Sequence, residues 1–199
     1  MRSRIAVLVS GRGSNLQALL DHLDRLDDAR TSDVVVVISN RSEAAALEIA
    51  RRRDIPAEHL AFPDDGTALM ALLGRHRVDL VVLAGYLKRV PAEVIREYRG
   101  RVLNVHPALL PSFGGEGMYG SRVHEAVVAA GERETGVTIH LVDDEYDRGS
   151  IVAQWRIPVG AGESAQSLAG RVLELEHFIY PRTIEMVAAL TLRDTRTSA

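Results

Sequence analysis

Unbroken apolar runs at residues 5–9, 34–38 and 80–84 predict strands buried on both faces, the pattern of a parallel sheet. Between them, apolar residues recur every three or four positions. Leu16, Leu19, Leu20 and Leu23 share one helical face, and Ser14 and Gln17 stand at capping-box spacing ahead of it. Residues 44–53 are Ala-rich and helical, and Pro56 closes off their continuation. A weaker strand at 57–62 precedes the turn Pro63-Asp64-Asp65-Gly66. Residues 68–76 are helical, Pro91 opens a short helix to Tyr98, and residues 101–106 form the next strand. Strand and helix thus alternate, which predicts an α/β fold with a doubly wound, mostly parallel sheet.

The grammar changes after Pro107. Residues 112–120 hold four glycines and no periodicity, so they form a loop. A helix at 122–131 and alternating strands at 137–142 and 151–159 follow, the two strands joined by the acidic connection 143–148. Leu168, Val172, Leu175 and Ile179 mark a long amphipathic last helix. Beyond Leu190 the polar segment 191–199 is expected to fray. No repeat, linker or boundary interrupts the chain, so residues 1–199 are expected to form a single domain.

Composition narrows the chemistry. The chain has no Cys, which removes thiol nucleophiles, thiolate zinc sites and disulfides. A net charge of −3 supplies no basic field for nucleic acid. The first residues lead straight into a strand pattern without signal-peptide architecture, and no apolar run is long enough to span a bilayer. A cytoplasmic protein without membrane or nucleic-acid partners is expected.

Asn104 and His106 lie one pleat apart on the strand that Pro107 ends, so both side chains point the same way. An amide donor beside an imidazole, at the carboxyl end of a strand, suits the oxygen that becomes negative when a nucleophile adds to a carbonyl. A strand that merely ends in polar residues is the alternative. The turn Gly11-Arg12-Gly13-Ser14-Asn15 lacks the third glycine of a dinucleotide fingerprint and the Lys of a P-loop. It can seat one phosphate at a helix start, or it can be a structural turn with Ser14 as N-cap. The acidic connection is either a solvated turn or the source of one carboxylate that pairs with His106. Such a pair raises the imidazole's pKa, and spacing cannot choose among its four acids. His140 reads as a packed support. The seven His residues show no metal-ligand spacing, and no nucleophile elbow occurs.

Gly11-Arg12-Gly13-Ser14-Asn15, Leu83-Ala84-Gly85-Tyr86, Asn104-Val105-His106-Pro107, Leu109-Leu110-Pro111, residues 136–140 and Asp147-Arg148-Gly149 together resemble the phosphoribosylglycinamide formyltransferases, folate-dependent enzymes of purine synthesis. The resemblance runs from about Ile5 to about Leu190. It implies a Rossmann-like formyltransferase fold and direct formyl transfer from 10-formyltetrahydrofolate to the amine of glycinamide ribonucleotide, without metal. It assigns Asn104, His106 and Asp147 to catalysis, with Asp147 keeping His106 protonated. Gly13, Ser14 and Asn15 take the substrate phosphate and Glu176 the ribose hydroxyls. Without the resemblance, Glu176 reads as an exposed helix position. The pterin is placed against Leu87, Lys88, Arg89 and Val90 and against the segment containing Leu141, Asp143 and Asp144.

Three departures from the usual pattern stand out. Leu87-Lys88-Arg89-Val90 replaces Met-Arg-Ile after the aromatic. Asp147-Arg148-Gly149 replaces Asp-Gly-Gly, which puts the shape of the pterin loop in question. The 114–120 loop is longer than the usual proline-glycine form and is expected to act as a mobile lid. Two relatives compete. A methionyl-tRNA formyltransferase is expected to carry a further C-terminal domain and a basic face, and a formyltetrahydrofolate hydrolase an N-terminal regulatory domain. A non-catalytic phosphate-binding module is the reading from a different class. A monomer or a homodimer fits equally.

Overall fold

In the computed structural model, which describes residues 2–197, the alternating half of the chain builds the sheet that its apolar pattern requires. β1 (Ser3–Val9), β2 (Ser32–Ser39), β3 (Ala57–His59), β4 (Leu80–Leu83) and β5 (Val102–His106) run parallel. β6 (Glu134–Leu141) and β7 (Ile151–Pro158) add antiparallel. The order β3-β2-β1-β4-β5-β6-β7 reverses direction at β1, so a crevice opens at the carboxyl ends of β1 and β4.

Alternation along β1 sends Ile5, Val7 and Val9 into one core and Ala6 and Leu8 into another. The first core is covered by α1 (Ser14–Leu26), α2 (Ala45–Arg51), α5 (Ser121–Ala129) and α6 (Ala165–Thr197). The second is covered by α3 (Gly66–Arg75) and α4 (Ala92–Glu97). Leu16, Leu19, Leu20 and Leu23 are all buried on α1, each stabilising the fold by about 2 kcal/mol.

The last helix reaches back to the middle of the molecule. The Tyr180 hydroxyl lies 3.0 Å from the Leu83 carbonyl and 3.1 Å from that of Leu103, so α6 grips the end of β4 and the first half of β5. One turn on, the Glu185 carboxylate accepts the Thr31 N–H at 2.6 Å and the Ser32 hydroxyl, tying α6 to the start of β2.

Some boundaries differ from the sequence reading. β3 stops at His59, although Leu60 still donates to the Ser39 carbonyl at 2.8 Å. Pro91 is the residue before α4 rather than its first member. The capping box at Ser14 and Gln17 does not form. Gly13 is the N-cap, in a left-handed conformation with φ 81°, and the Gln17 amide turns to Asp21 instead. α6 continues past Leu190 to Thr197, and Ser198 and Ala199 lie outside the described residues. Among the described residues no helix is long and apolar enough to cross a membrane.

Candidate active site

A cleft of about 780 Å³ opens at the crevice, lined by the ends of β4, β5 and β6, the 115–120 loop with the start of α5, and one face of α6. β5 delivers Asn104 and His106 into it. The antiparallel ladder sets Asn104 opposite His140 and His106 opposite Thr138, and directly opposed residues share a face. Asn104 Nδ2 is 3.1 Å from His140 Nε2. His140 Nδ1 donates to the Leu141 carbonyl at 2.9 Å, so in the neutral ring Nε2 is the acceptor of that amide hydrogen. The second Asn104 hydrogen is left for the cleft. His140, itself buried, thus holds the Asn104 amide directly.

The chain leaving His106 is held by two side chains that sequence reasoning missed. The Thr138 hydroxyl donates to the Ala108 carbonyl at 2.6 Å and accepts the Leu110 N–H at 3.0 Å. Gln154 Nε2 reaches both Thr138 Oγ1, at 2.9 Å, and the Leu110 carbonyl, at 3.1 Å. The available signal was position: Thr138 stands two residues before His140, on the same face of β6.

Of the four acids in the β6–β7 connection, Asp147 turns inward. Its backbone is left-handed, φ 56°, and its side chain is only 11% exposed. Asp147 Oδ2 is 3.5 Å from His106 Nδ1 and accepts the Gly115 N–H at 2.9 Å, while Oδ1 is 3.5 Å from His140 Nε2. The glycine loop thus lies directly on this carboxylate. A Cβ at Gly114 would meet Leu110 Cδ2 at 2.5 Å and Asp147 Cβ at 3.2 Å, so any larger residue there would press on Leu110 and on Asp147 itself. His106 Nε2–H donates to the Phe113 carbonyl at 2.8 Å, which leaves Nδ1 as the nitrogen between Asp147 and the cleft.

The electrostatics overturn one expectation. Burial pushes the His106 imidazole below its ordinary value and outweighs the upward pull of Asp147 and of the Phe113 carbonyl, with His140 adding to the depression. The pair does pull the imidazole upward, but burial outweighs it, so the net shift is downward and the ring favours its neutral form in the absence of ligand. Burial pushes the Asp147 carboxyl up, but His140, His106 and the Gly115 N–H together hold it below the ordinary carboxylate range. A fixed negative charge faces a neutral ring that it can stabilise once protonated.

At the other end of the cleft, α1 and α6 meet. Asn15 Nδ2 donates to Glu176 Oε2 at 2.7 Å, and both residues line the cleft. Glu176 is 8% exposed, not the exposed position that its helix pattern implied. Burial drives its carboxyl up to about 7, against the pull of the Asn15 hydrogen bond. Asn15 Oδ1 is buried without a partner. Gly13 and Ser14 are not among the lining residues, whereas Arg12 is. Gly13 answers to packing: a Cβ there would meet Ala46 Cβ at 2.7 Å.

The residues that the resemblance assigned to the pterin fall mostly along one wall of the cleft. Leu87, Lys88, Arg89, Val90, Asp143 and Asp144 line the cleft; Leu141 does not, and Val142 takes its place. Leu141 is committed to the sheet, its N–H bonded to the Ser150 carbonyl at 2.9 Å. Arg148 closes off nothing: its backbone is not left-handed and its side chain is 77% exposed. The glycine that the loop needs is Gly149, where a Cβ would stand 1.8 Å from the Leu141 carbonyl oxygen.

The family model described as formyl transferase matches residues 3–184. Phosphoribosylglycinamide formyltransferase, chloroplastic, of Arabidopsis thaliana is 42% identical over 198 residues, covering 95% of this chain and 65% of that protein. The Vigna unguiculata protein of the same name is 43% identical over 192 residues, 92% of this chain and 60% of its own length. The chain therefore spans somewhat under two thirds of these curated relatives. Glycinamide ribonucleotide transformylase 1 of Symbiobacterium toebii superposes with a TM-score of 0.86 at 38% identity, covering 94% of this chain and 88% of that one. With its β5 amide and imidazole, its inward aspartate and a match running through nearly all of its sheet, the chain belongs to the formyl transferase family.

Proposed function

We propose that this protein transfers the formyl group of 10-formyltetrahydrofolate to the primary amine of glycinamide ribonucleotide, a step of purine synthesis. The support is the cleft itself, with Arg12, Asn15 in the first turn of α1 and a buried acid at one end and apolar walls from Leu87, Val90 and Val142 at the other. The phosphate sits at the free N–H groups opening α1, beside Arg12, and Glu176 with Asn15 takes the ribose hydroxyls. The pterin lies between the 87–90 and 142–147 segments. The 114–120 loop opens to admit ligands and closes over them.

The observation that carries the reading is Asp147, charged and buried, 3.5 Å from the rings of His106 and His140. As the amine nitrogen bonds to the formyl carbon, neutral His106 takes the amine proton at Nδ1. Asp147 stabilises the imidazolium, and the Asn104 N–H and the new ring N–H face the oxyanion. Collapse of the oxyanion breaks the bond between the formyl carbon and the folate nitrogen, and His106 returns its proton to that nitrogen. Loss of one oxyanion donor costs roughly 3 kcal/mol, about a hundredfold in turnover.

The test is an absorbance assay of folate-cofactor consumption with glycinamide ribonucleotide as acceptor, run in a chelator. Turnover by the wild type, with Asn104→Ala at least about a hundredfold slower, bears the reading out. A wild type that binds the ribonucleotide but transfers nothing refutes it.

A further inference from the structure

The two ligand-facing cations beside β4 do different things. Lys88 makes no hydrogen bond or ion pair among the described residues. Arg89 is already committed, because its guanidinium spans the mouth of the cleft. Nη2 donates to the Asp144 carbonyl, and the guanidinium carbon stands 5.8 Å from the centre of the Tyr146 ring. Arg89 and Tyr146 are both largely exposed, and both line the cleft.

The segment that Arg89 grasps has few other ties. Its base is closed by the Leu141 N–H on the Ser150 carbonyl at 2.9 Å, and Gly149 packs against the Leu141 carbonyl. Its inner end is Asp147, fixed by Gly115 and faced by the two histidines. Between these points, residues 144–146 have one bond within the loop, from the Glu145 N–H to Asp143 Oδ1 at 3.0 Å, and an exposed ion pair of Glu145 with Arg148. Arg89 supplies the tie from outside, to the residues on either side of Glu145. Tyr146, under its guanidinium, is the immediate neighbour of Asp147.

We propose that Arg89 is a positioning residue: a latch across the cleft mouth that holds the 144–146 arc, and through it the Asp147 carboxylate, in the arrangement that accepts the folate. The ligand assignment rests on the function proposed above; the latch does not. A planar guanidinium suits both contacts at once, one edge donating to a carbonyl and one face lying over a ring. Lys88 remains the cation free to meet a carboxylate of the ligand.

Two measurements on wild type, Arg89→Met, Arg89→Lys, Tyr146→Leu and Tyr146→Phe test the latch. In the first, amide hydrogen exchange of the ligand-free proteins is followed. Arg89→Met should speed exchange at residues 144–147 by about three- to tenfold and leave β5 and β6 unchanged. Arg89→Lys, which keeps a donor for the Asp144 carbonyl, should recover part of the protection. Tyr146→Phe should match wild type, and Tyr146→Leu should fall between. In the second, steady-state kinetics of Arg89→Met should show KM for the folate rising about three- to tenfold and kcat falling less, with KM for the ribonucleotide within about twofold. Unchanged exchange in Arg89→Met overturns the latch. Faster exchange with both KM values unmoved overturns its positioning role, as does an equal rise in both. If the wild type transfers no formyl group, the proposed function fails, and exchange together with binding of a reduced folate decides the latch alone.

Discussion

Glu176 and Asp147 are two buried carboxyls in one cleft, and their surroundings push them in opposite directions. Glu176 has one neutral partner, the Asn15 amide, and burial carries it up to about 7. Asp147 is also raised by burial, yet two imidazoles and a backbone N–H bring it below its ordinary 3.8. Burial therefore does not by itself decide the charge of an acid here; the groups that surround it do. The cleft keeps one carboxylate held in its charged form between two imidazoles and one carboxyl raised to about 7 beside a neutral amide.

The contrast has opposite consequences for stability. The lowered Asp147 contributes stability above pH 3.8 that is lost as the pH falls through its folded value. The raised Glu176 binds a proton in the fold that the unfolded chain has released between pH 4.5 and about 7, so its contribution declines as the pH rises across that window. At about 1.4 kcal/mol per pH unit, the decline amounts to about 3 kcal/mol.

The largest test of the contrast removes the charge. Asp147→Asn should lower kcat by about 10²–10⁴ with both KM values within about threefold, measured by steady-state formyl transfer. His106→Ala should do the same, and the double variant should be no worse than the worse single one. A Asp147→Asn protein within tenfold of wild type would erase the distinction between the two acids. Next comes Glu176→Gln, for which KM for the ribonucleotide should rise about tenfold while kcat holds within about threefold. Thermal melts supply its second readout. The wild-type midpoint should fall by about 6–12 °C more than the variant's between pH 5 and 8. Asn15→Ala should act more gently, raising the Glu176 carboxyl further and moving the midpoint of that pH dependence upward by less than about one pH unit. Smallest is Arg148→Gly, expected within about 0.5 kcal/mol of wild-type stability and about twofold of its KM for folate. A larger effect would return importance to a side chain that the structure leaves in solvent.

β1, β2 and β4 were legible because each sends residues into both cores and is therefore written as an apolar run. Asn104 and His106 were legible for a simpler reason, since strand alternation aims both the same way. The choice of Asp147 among four acids was not. It depends on a left-handed backbone at residue 147 and on glycines 33 and 32 positions earlier in the chain, at 114 and 115, that allow the loop to approach. Glu176 was hidden differently: its burial comes from α6 crossing α1, which no periodicity within either helix encodes, and only the resemblance singled it out. The Phe113 carbonyl and the Gly115 N–H belong to the main chain, so no residue type announces them.

The reach of Tyr180 to the carbonyls of Leu83 and Leu103 means that the two strands leading into the cleft depend on α6. The turn at residues 160–162 that precedes this helix is exposed. Severing the backbone there would yield two complementary fragments, the larger carrying the reactive side chains but not the clasp that aligns them. On the function proposed above, formyl transfer would then report their reassociation, turning the protein into a split reporter whose signal requires the helix to dock.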